Sequence, residues 1–108
     1  MGAQETVAEF FDALEGKLAK RKGELSGVTG LLQFRVGESA RWLRLSGGEA
    51  QVGQGEAPSP DCVVTVTEET FADLLDGKLS PTAAFLSGKI RVAGNFGLAM
   101  HLGSLVKR

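Results

Sequence analysis

A chain of 108 residues with 43% apolar and 23% charged residues has ordinary globular composition, and its length suits one domain with one hydrophobic core. A net charge of -1 argues against a broad nucleic-acid face, and the lone cysteine, Cys62, rules out an internal disulfide or a multi-cysteine zinc site. No stretch approaches the ~20 apolar residues that span a bilayer, and residues 1–15 carry acids without a basic leader region, so the expectation is one cytoplasmic domain over residues 1–108. Met1-Gly2-Ala3-Gln4-Glu5-Thr6 fits the loose myristoylation pattern with Gly2 as acceptor, a short pattern that many unmodified chains match.

Val7, Phe10, Phe11, Leu14 and Leu18 recur at helical spacing, with acids towards the start of the segment and Lys17, Lys20, Arg21 and Lys22 towards its end. This predicts an amphipathic helix aligned with its own dipole and stopped near Gly23. Residues 27–30 then form a connection. Leu32, Phe34 and Val36 alternate with Gln33 and Arg35, and Gly37-Glu38-Ser39 turns the chain into a second strand through Arg41-Trp42-Leu43-Arg44-Leu45. With Leu43 and Leu45 facing the core, Trp42 falls outside, where it stacks with an arginine. Ser46-Gly47-Gly48-Glu49 leads to a short third strand around Ala50 to Gly53, and a loop bearing Pro58 and Pro60 precedes the β-branched strand Cys62-Val63-Val64-Thr65-Val66. The expectation for these four is a meander.

Thr67 caps a helix with Phe71, Leu74 and Leu75 on one face, stopped by Gly77. Ser80 before Pro81 starts a second short helix carrying Ala84, Phe85 and Leu86. Ile90 and Val92 alternate with Lys89, Arg91 and Ala93 in a last strand, and Gly94-Asn95 opens a final helix bearing Leu98, Leu102, Leu105 and Val106. The order reads αββββααβα, an α+β domain with a five-stranded, mostly antiparallel sheet covered on one face by helices.

Catalysis needs a nucleophile, a base or a metal assembled in one place, and one histidine, one cysteine and no tyrosine are a poor stock for that. His101, between Met100 and Leu102, reads as a surface or satisfied histidine, and Cys62, opening an apolar strand, as a small hydrophobe. Glu68, Glu69, Asp73 and Asp76 form a solvated helix face, since a hard-metal cage draws oxygen ligands from several segments. Gly16-Lys17, Gly77-Lys78 and Gly88-Lys89 lack the upstream glycine and following Ser or Thr of a phosphate loop. Lys89, Arg91, Lys107 and Arg108 make a modest basic end without an acid from Gly88 onward. The long apolar side chains on both halves of the sandwich suit a filled core and a lipid cavity equally, because both use the same residue types.

The run Asp61-Cys62-Val63-Val64-Thr65-Val66, the helix from Phe71 to Leu75, and the series Gly77-Lys78-Leu79, Pro81, Ala84-Phe85, Gly88-Lys89-Ile90 and Gly94-Asn95 resemble the sterol carrier protein type-two domain family of non-specific lipid-transfer proteins. The amphipathic first helix, Phe34 and Trp42 extend the resemblance over nearly the whole chain. It implies a five-stranded sheet under helices, an apolar tunnel between the two layers, and non-covalent binding of fatty acids, fatty acyl-CoAs, phospholipids or sterols. The sequence stops at Val106-Lys107-Arg108, without the C-terminal extension and Ser-Lys-Leu-type signal of familiar eukaryotic members, and resembles a bacterial stand-alone form, which places sterol behind the acyl ligands.

Apolar alternation together with the resemblance gives the expected tunnel lining as Leu14, Leu32, Phe34, Val64, Val66, Phe71, Leu75, Phe85, Leu86, Ile90, Val92, Leu98, Met100, Leu102 and Leu105, with Lys89, Arg91 and Lys107 as headgroup candidates. The expected partners are a lipid or fatty acyl ligand and, transiently, a membrane surface. No cofactor, metal or nucleic acid is expected, and the chain is expected to be a monomer or homodimer. The competing reading is an accessory module with a closed cavity that docks a partner or itself.

Overall fold

A computed structural model describes residues 3–105, with side chains described for residues 7–102; the Gly2 acceptor reading therefore lies outside the described residues. The elements in chain order are α1 (Ala3–Ala19), α2 (Lys22–Leu25), β1 (Gly30–Val36), β2 (Ser39–Ser46), β3 (Glu49–Gln54), β4 (Cys62–Val66), α3 (Glu68–Leu75), α4 (Pro81–Leu86), β5 (Ile90–Gly94) and α5 (Phe96–Leu105). The short α2 is an addition to the expected order. It takes Gly23 inside a helical turn rather than at a stop, and it fully buries Leu25.

Local chemistry sets the element ends. The Thr67 hydroxyl accepts the Thr70 amide at 3.1 Å, the Ser80 hydroxyl accepts Ala83 at 3.1 Å, and the Asn95 side-chain oxygen accepts Leu98 at 3.0 Å, so each of the last three helices starts on a polar cap. After α3, Gly77 at φ 77° donates to the Leu74 carbonyl and Lys78 donates to Asp73 at 2.9 Å, a Schellman closure that needs the left-handed glycine. In the β2–β3 hairpin Gly47 and Gly48 both take positive φ, which matches the twist of a two-residue turn.

The sheet order is β3-β2-β1-β4-β5. β1–β2, β2–β3 and β4–β5 are antiparallel, but β4 runs parallel to β1, pairing Leu32 with Cys62 and Phe34 with Val64. The expected four-strand meander is thus corrected: only β1, β2 and β3 form one. A parallel pair needs a crossover, and the loop after β3 provides it by crossing the face of the sheet opposite the helices. Gln33 holds that loop. Although its pleat position turns it away from Leu32 and Phe34, it is fully buried, its amide donating to the carbonyls of Gly55 at 3.0 Å and Arg41 at 3.2 Å while its oxygen accepts Ala57 N–H at 2.6 Å. The Arg35 guanidinium adds a 2.9 Å bond to Glu56, which holds that carboxyl below its ordinary pKa.

All the larger helices lie on the other face. α1 packs on β3 and α3, α4 on β5, and α5 on β4 and β5. On the exposed face Trp42 is half-buried, its ring 5.6 Å from the Arg44 guanidinium and packed over Gly53, its partner on β3.

Candidate functional site

The helix-facing side of the sheet divides into two regions. Beneath α1, the side chains of Val7, Leu14, Leu18, Leu25, Leu43 and Leu45 are essentially inaccessible and form a filled core. Over β1, β4 and β5 the same face instead borders an apolar cavity of about 130 Å³.

Its floor is Leu32 and Phe34 from β1, Val64 from β4, and Ile90 and Val92 from β5. Strand register sets Phe34, Val64 and Val92 side by side across three strands. One wall is aromatic: Phe10 meets Phe71 edge-on at 5.3 Å between centroids, and Phe11 stacks on Phe71 at 5.7 Å behind it. Leu74 and Leu75 of α3, Pro81 and Phe85 of α4, and Phe96, Ala99, Met100 and Leu102 of α5 extend the lining, in which no polar side chain takes part among the described residues. Phe85 and Phe96, 4.7 Å apart between ring centroids, line the cavity and also reach the surface, which puts the mouth between α4 and α5. An apolar cavity of ~150 Å³ holds a benzene-sized group, so this space of about 130 Å³ takes a group of similar size, and its apolar lining offers water no partner.

Of the expected lining, Leu32, Phe34, Val64, Phe71, Leu75, Phe85, Ile90, Val92, Met100 and Leu102 border the cavity. Four do not. Leu14 is spent in the filled core beneath α1, and Val66 at the end of β4 packs beside Val36 in the same cluster. Leu98 packs over Gly30 at the start of β1. Leu86 is 78% exposed, since successive helical residues point about 100° apart and its neighbour Phe85 takes the inward direction. The Leu105 side chain and Lys107 lie outside the described residues.

The headgroup candidates Lys89 and Arg91 do not line the cavity. Arg91 alternates with Ile90 and Val92, so the pleat sends it to the face opposite the cavity. Lys89 is exposed in the turn between α4 and β5, outside the lining. Phe10, Leu74, Pro81, Phe96 and Ala99 were not foreseen as lining. The spacing of Phe96, Ala99 and Met100, a residue and its third and fourth successors, is the signal that marks one stripe of α5.

Among the described residues no titratable side chain lines the cavity. Cys62 is buried, and burial, with the Asp61 carboxylate adding to it, pushes its thiol pKa up, the opposite of an activated thiolate. His101 is exposed on α5. Among the described residues no three His, Cys, Asp or Glu side chains converge as a metal site. A second, polar hollow of about 220 Å³ lies between α1 and β2–β3, lined by Asp12, Glu15, Arg41 and Gln54. There Glu15 accepts the Val52 amide at 2.6 Å and so covers the open edge of β3.

Comparison with known proteins agrees with this architecture. The model of the SCP-2 sterol transfer family matches residues 11–107. Sterol carrier protein 2 of Rattus norvegicus is 33% identical over 103 residues, covering 89% of this chain and 19% of that protein. Peroxisomal multifunctional enzyme A of Dictyostelium discoideum is 32% identical over 109 residues, covering 94% of this chain and 24% of that protein. The chain thus spans about a fifth to a quarter of the length of these curated relatives. The solution structure of the sterol carrier protein domain 2 of Helicoverpa armigera superposes with a TM-score of 0.70 at 30% identity, covering 90% of this chain and 82% of that one. Among the described residues no helix is long and apolar enough to cross a membrane. With the mixed five-stranded sheet, the helices on one face and the family match over residues 11–107, the chain belongs to the SCP-2 sterol transfer family, whose domains bind and transfer lipids.

Proposed function

We propose that this domain takes up the acyl chain of a fatty acid, fatty acyl-CoA or phospholipid in the cavity between β1, β4, β5 and the helices, and carries it between lipid surfaces without covalent chemistry. The observation that supports this reading is the lining itself: fifteen apolar residues from seven elements around one space that opens between α4 and α5. Such a space rewards removal of methylenes from water and offers no group to react with them. Roughly ten buried methylenes at ~0.8 kcal/mol each give a gross gain of ~8 kcal/mol, which ordering of the chain reduces to micromolar affinity or weaker. Selectivity among acyl ligands is accordingly poor. The polar headgroup stays at the mouth, where Lys89 is the nearest of the expected cations along the chain to the lining residues Phe85 and Ile90.

The test is native mass spectrometry of the freshly purified protein, followed by organic extraction of whatever it releases. A co-purified acyl lipid near one equivalent, or saturable uptake of added palmitate or palmitoyl-CoA, is the expected result. A clean apo mass that also refuses both additions overturns the reading in favour of a closed cavity in a docking module.

A further inference from the structure

The aromatic rings of this chain gather around one space. It has six phenylalanines, and five of them, Phe10, Phe34, Phe71, Phe85 and Phe96, line the cavity, each from a different element: α1, β1, α3, α4 and α5. No helical period or strand alternation brings residues of five elements together; the tertiary fold does. The filled core beneath α1 is aliphatic by contrast, packed from Leu14, Leu18, Leu43 and Leu45.

The rings fall into two groups. On the inner side Phe10 and Phe71 meet edge to face, with centroids 5.3 Å apart and planes at 77°. Phe34 joins them through Phe11, which lies 5.4 Å from Phe34 and 5.7 Å from Phe71. At the mouth Phe85 and Phe96 are tilted at 53° with centroids 4.7 Å apart. Both groups border the same space of about 130 Å³, close in size to the ~150 Å³ apolar void that takes up benzene. Met100 borders it too, and a thioether is a favourable neighbour for a ring.

We infer that the lipid taken up here carries an aromatic ring, which sits between the two phenylalanine groups while the rest of its chain leaves through the mouth. The inference rests on the proposed uptake of a lipid in this cavity and names the part of that lipid which is buried. A saturated chain is satisfied by any apolar wall, and leucine supplies one beneath α1. An aromatic ring has a negative face and a positive edge, and a wall of rings offers both, so an aryl group gains offset or edge-to-face contacts beyond the area it buries. Area alone works in the other direction, because a saturated tail of equal carbon number removes more apolar surface from water. A preference for the aryl tail therefore reflects the rings and not general hydrophobicity.

Three acids of equal carbon number test it: ω-phenyloctanoate, ω-cyclohexyloctanoate and tetradecanoate, each titrated calorimetrically into the full chain. The phenyl acid is expected to bind about fivefold tighter than either saturated acid. Tetradecanoate is slim enough to follow any gap that admits a ring, so the bulk of the cyclohexyl tail cannot by itself produce this order. The phenyl acid should also shift the Met100 methyl resonance more than the saturated acids do, with Met1, the chain's other methionine, as the internal reference. Phe96→Leu removes one ring from the mouth at a position 40% exposed and should reduce the preference to about twofold, with circular dichroism and a thermal melt confirming the fold. Equal affinities, tighter binding of either saturated acid, a preference undiminished in Phe96→Leu, or aryl binding that leaves Met100 unmoved overturns the inference while lipid uptake stands. Failure of all three acids to bind overturns the uptake reading together with it.

Discussion

Filling the cavity from within separates ligand binding from everything else the fold does. Ala99 borders the cavity from α5 and is partly buried, so its exchange for tryptophan directs new atoms into empty space. The substitution adds about nine heavy atoms to a volume of about 130 Å³, comparable with the ~150 Å³ that a benzene ring occupies in an apolar cavity, so the indole fills it. Nearly all of the ~8 kcal/mol gross gain from acyl burial is then pre-empted, and micromolar binding should become weaker than ~1 mM, a loss of about a thousandfold. Overpacking costs ~1–3 kcal/mol where atoms must be displaced, but here the indole occupies a void, so the melting temperature should hold or rise. The assay is displacement of a fluorescent fatty acid, checked by native mass spectrometry, with Ala93→Trp as control because Ala93 lies on the opposite face of β5. A folded Ala99→Trp protein that binds palmitate like the parent chain would refute the assignment of the cavity as the lipid site.

Three further substitutions test the frame around it. Gln33→Ala leaves the Ala57 amide and the Gly55 carbonyl without their partner and should cost about 2–4 kcal/mol in urea unfolding; a loss below about 1 kcal/mol would mean that the crossover loop does not depend on Gln33. Gln33→Glu sets a carboxyl oxygen against the Gly55 and Arg41 carbonyls, which favours the protonated form and raises its folded pKa. The variant should therefore keep its stability below the unfolded glutamate pKa of ~4.3 and lose it as pH rises through the folded value, visible as a falling melting temperature. Cys62, whose thiol pKa is raised by burial, should resist alkylation in the native state, and its contribution relative to Cys62→Ala should be constant to about pH 8 and fall as pH climbs through the raised pKa. Rapid native alkylation would contradict its burial. Gly94→Ala, at φ 92° with the new methyl group directed into the Asp61 carbonyl oxygen, should cost ~2 kcal/mol or more by thermal melt, because backbone stands on both sides of the contact.

Short-range signals were the legible part of the chain. Thr67, Ser80 and Asn95 name their helix starts because each cap is completed within three residues, and Gly77 names an end for the same reason. Strand order was not legible in this way. β4 carries no mark that sends it to β1 rather than β3, and the Gln33 contacts that fix its crossover span 22 and 24 residues. The cavity lay between these extremes. Period-two alternation placed Phe34, Val64, Ile90 and Val92 on one face, and the same alternation already directs Arg91 away from it; choosing that residue by charge overrode its pleat position. On α4, two adjacent apolar residues in a six-residue helix gave no means of telling inward Phe85 from outward Leu86. No pattern of residue types reveals emptiness, since Leu14 and Leu102 are the same side chain, one in a filled core and the other against a void.

The division of the sheet face explains how so small a chain keeps a void. The void forgoes packing contacts that a filled core would make, a cost that matters against the ~5–15 kcal/mol net stability of a small domain. That cost falls on the α4–β5–α5 side, whereas the tightly buried leucines and the Phe10, Phe11, Phe34 and Phe71 ring cluster are concentrated against α1, β1 and α3. Phe34 and Phe71 belong to both regions: each packs in the ring cluster and each borders the cavity. Their ring contacts with Phe10 and Phe11 brace this wall of the cavity. The opposite side is built from α4 of six residues and α5 of ten, tied to the sheet through the edge strand β5 and β4. On the proposed function, an acyl chain entering there would replace a void with contacts, so the element that admits the ligand would also be the one the ligand stabilises.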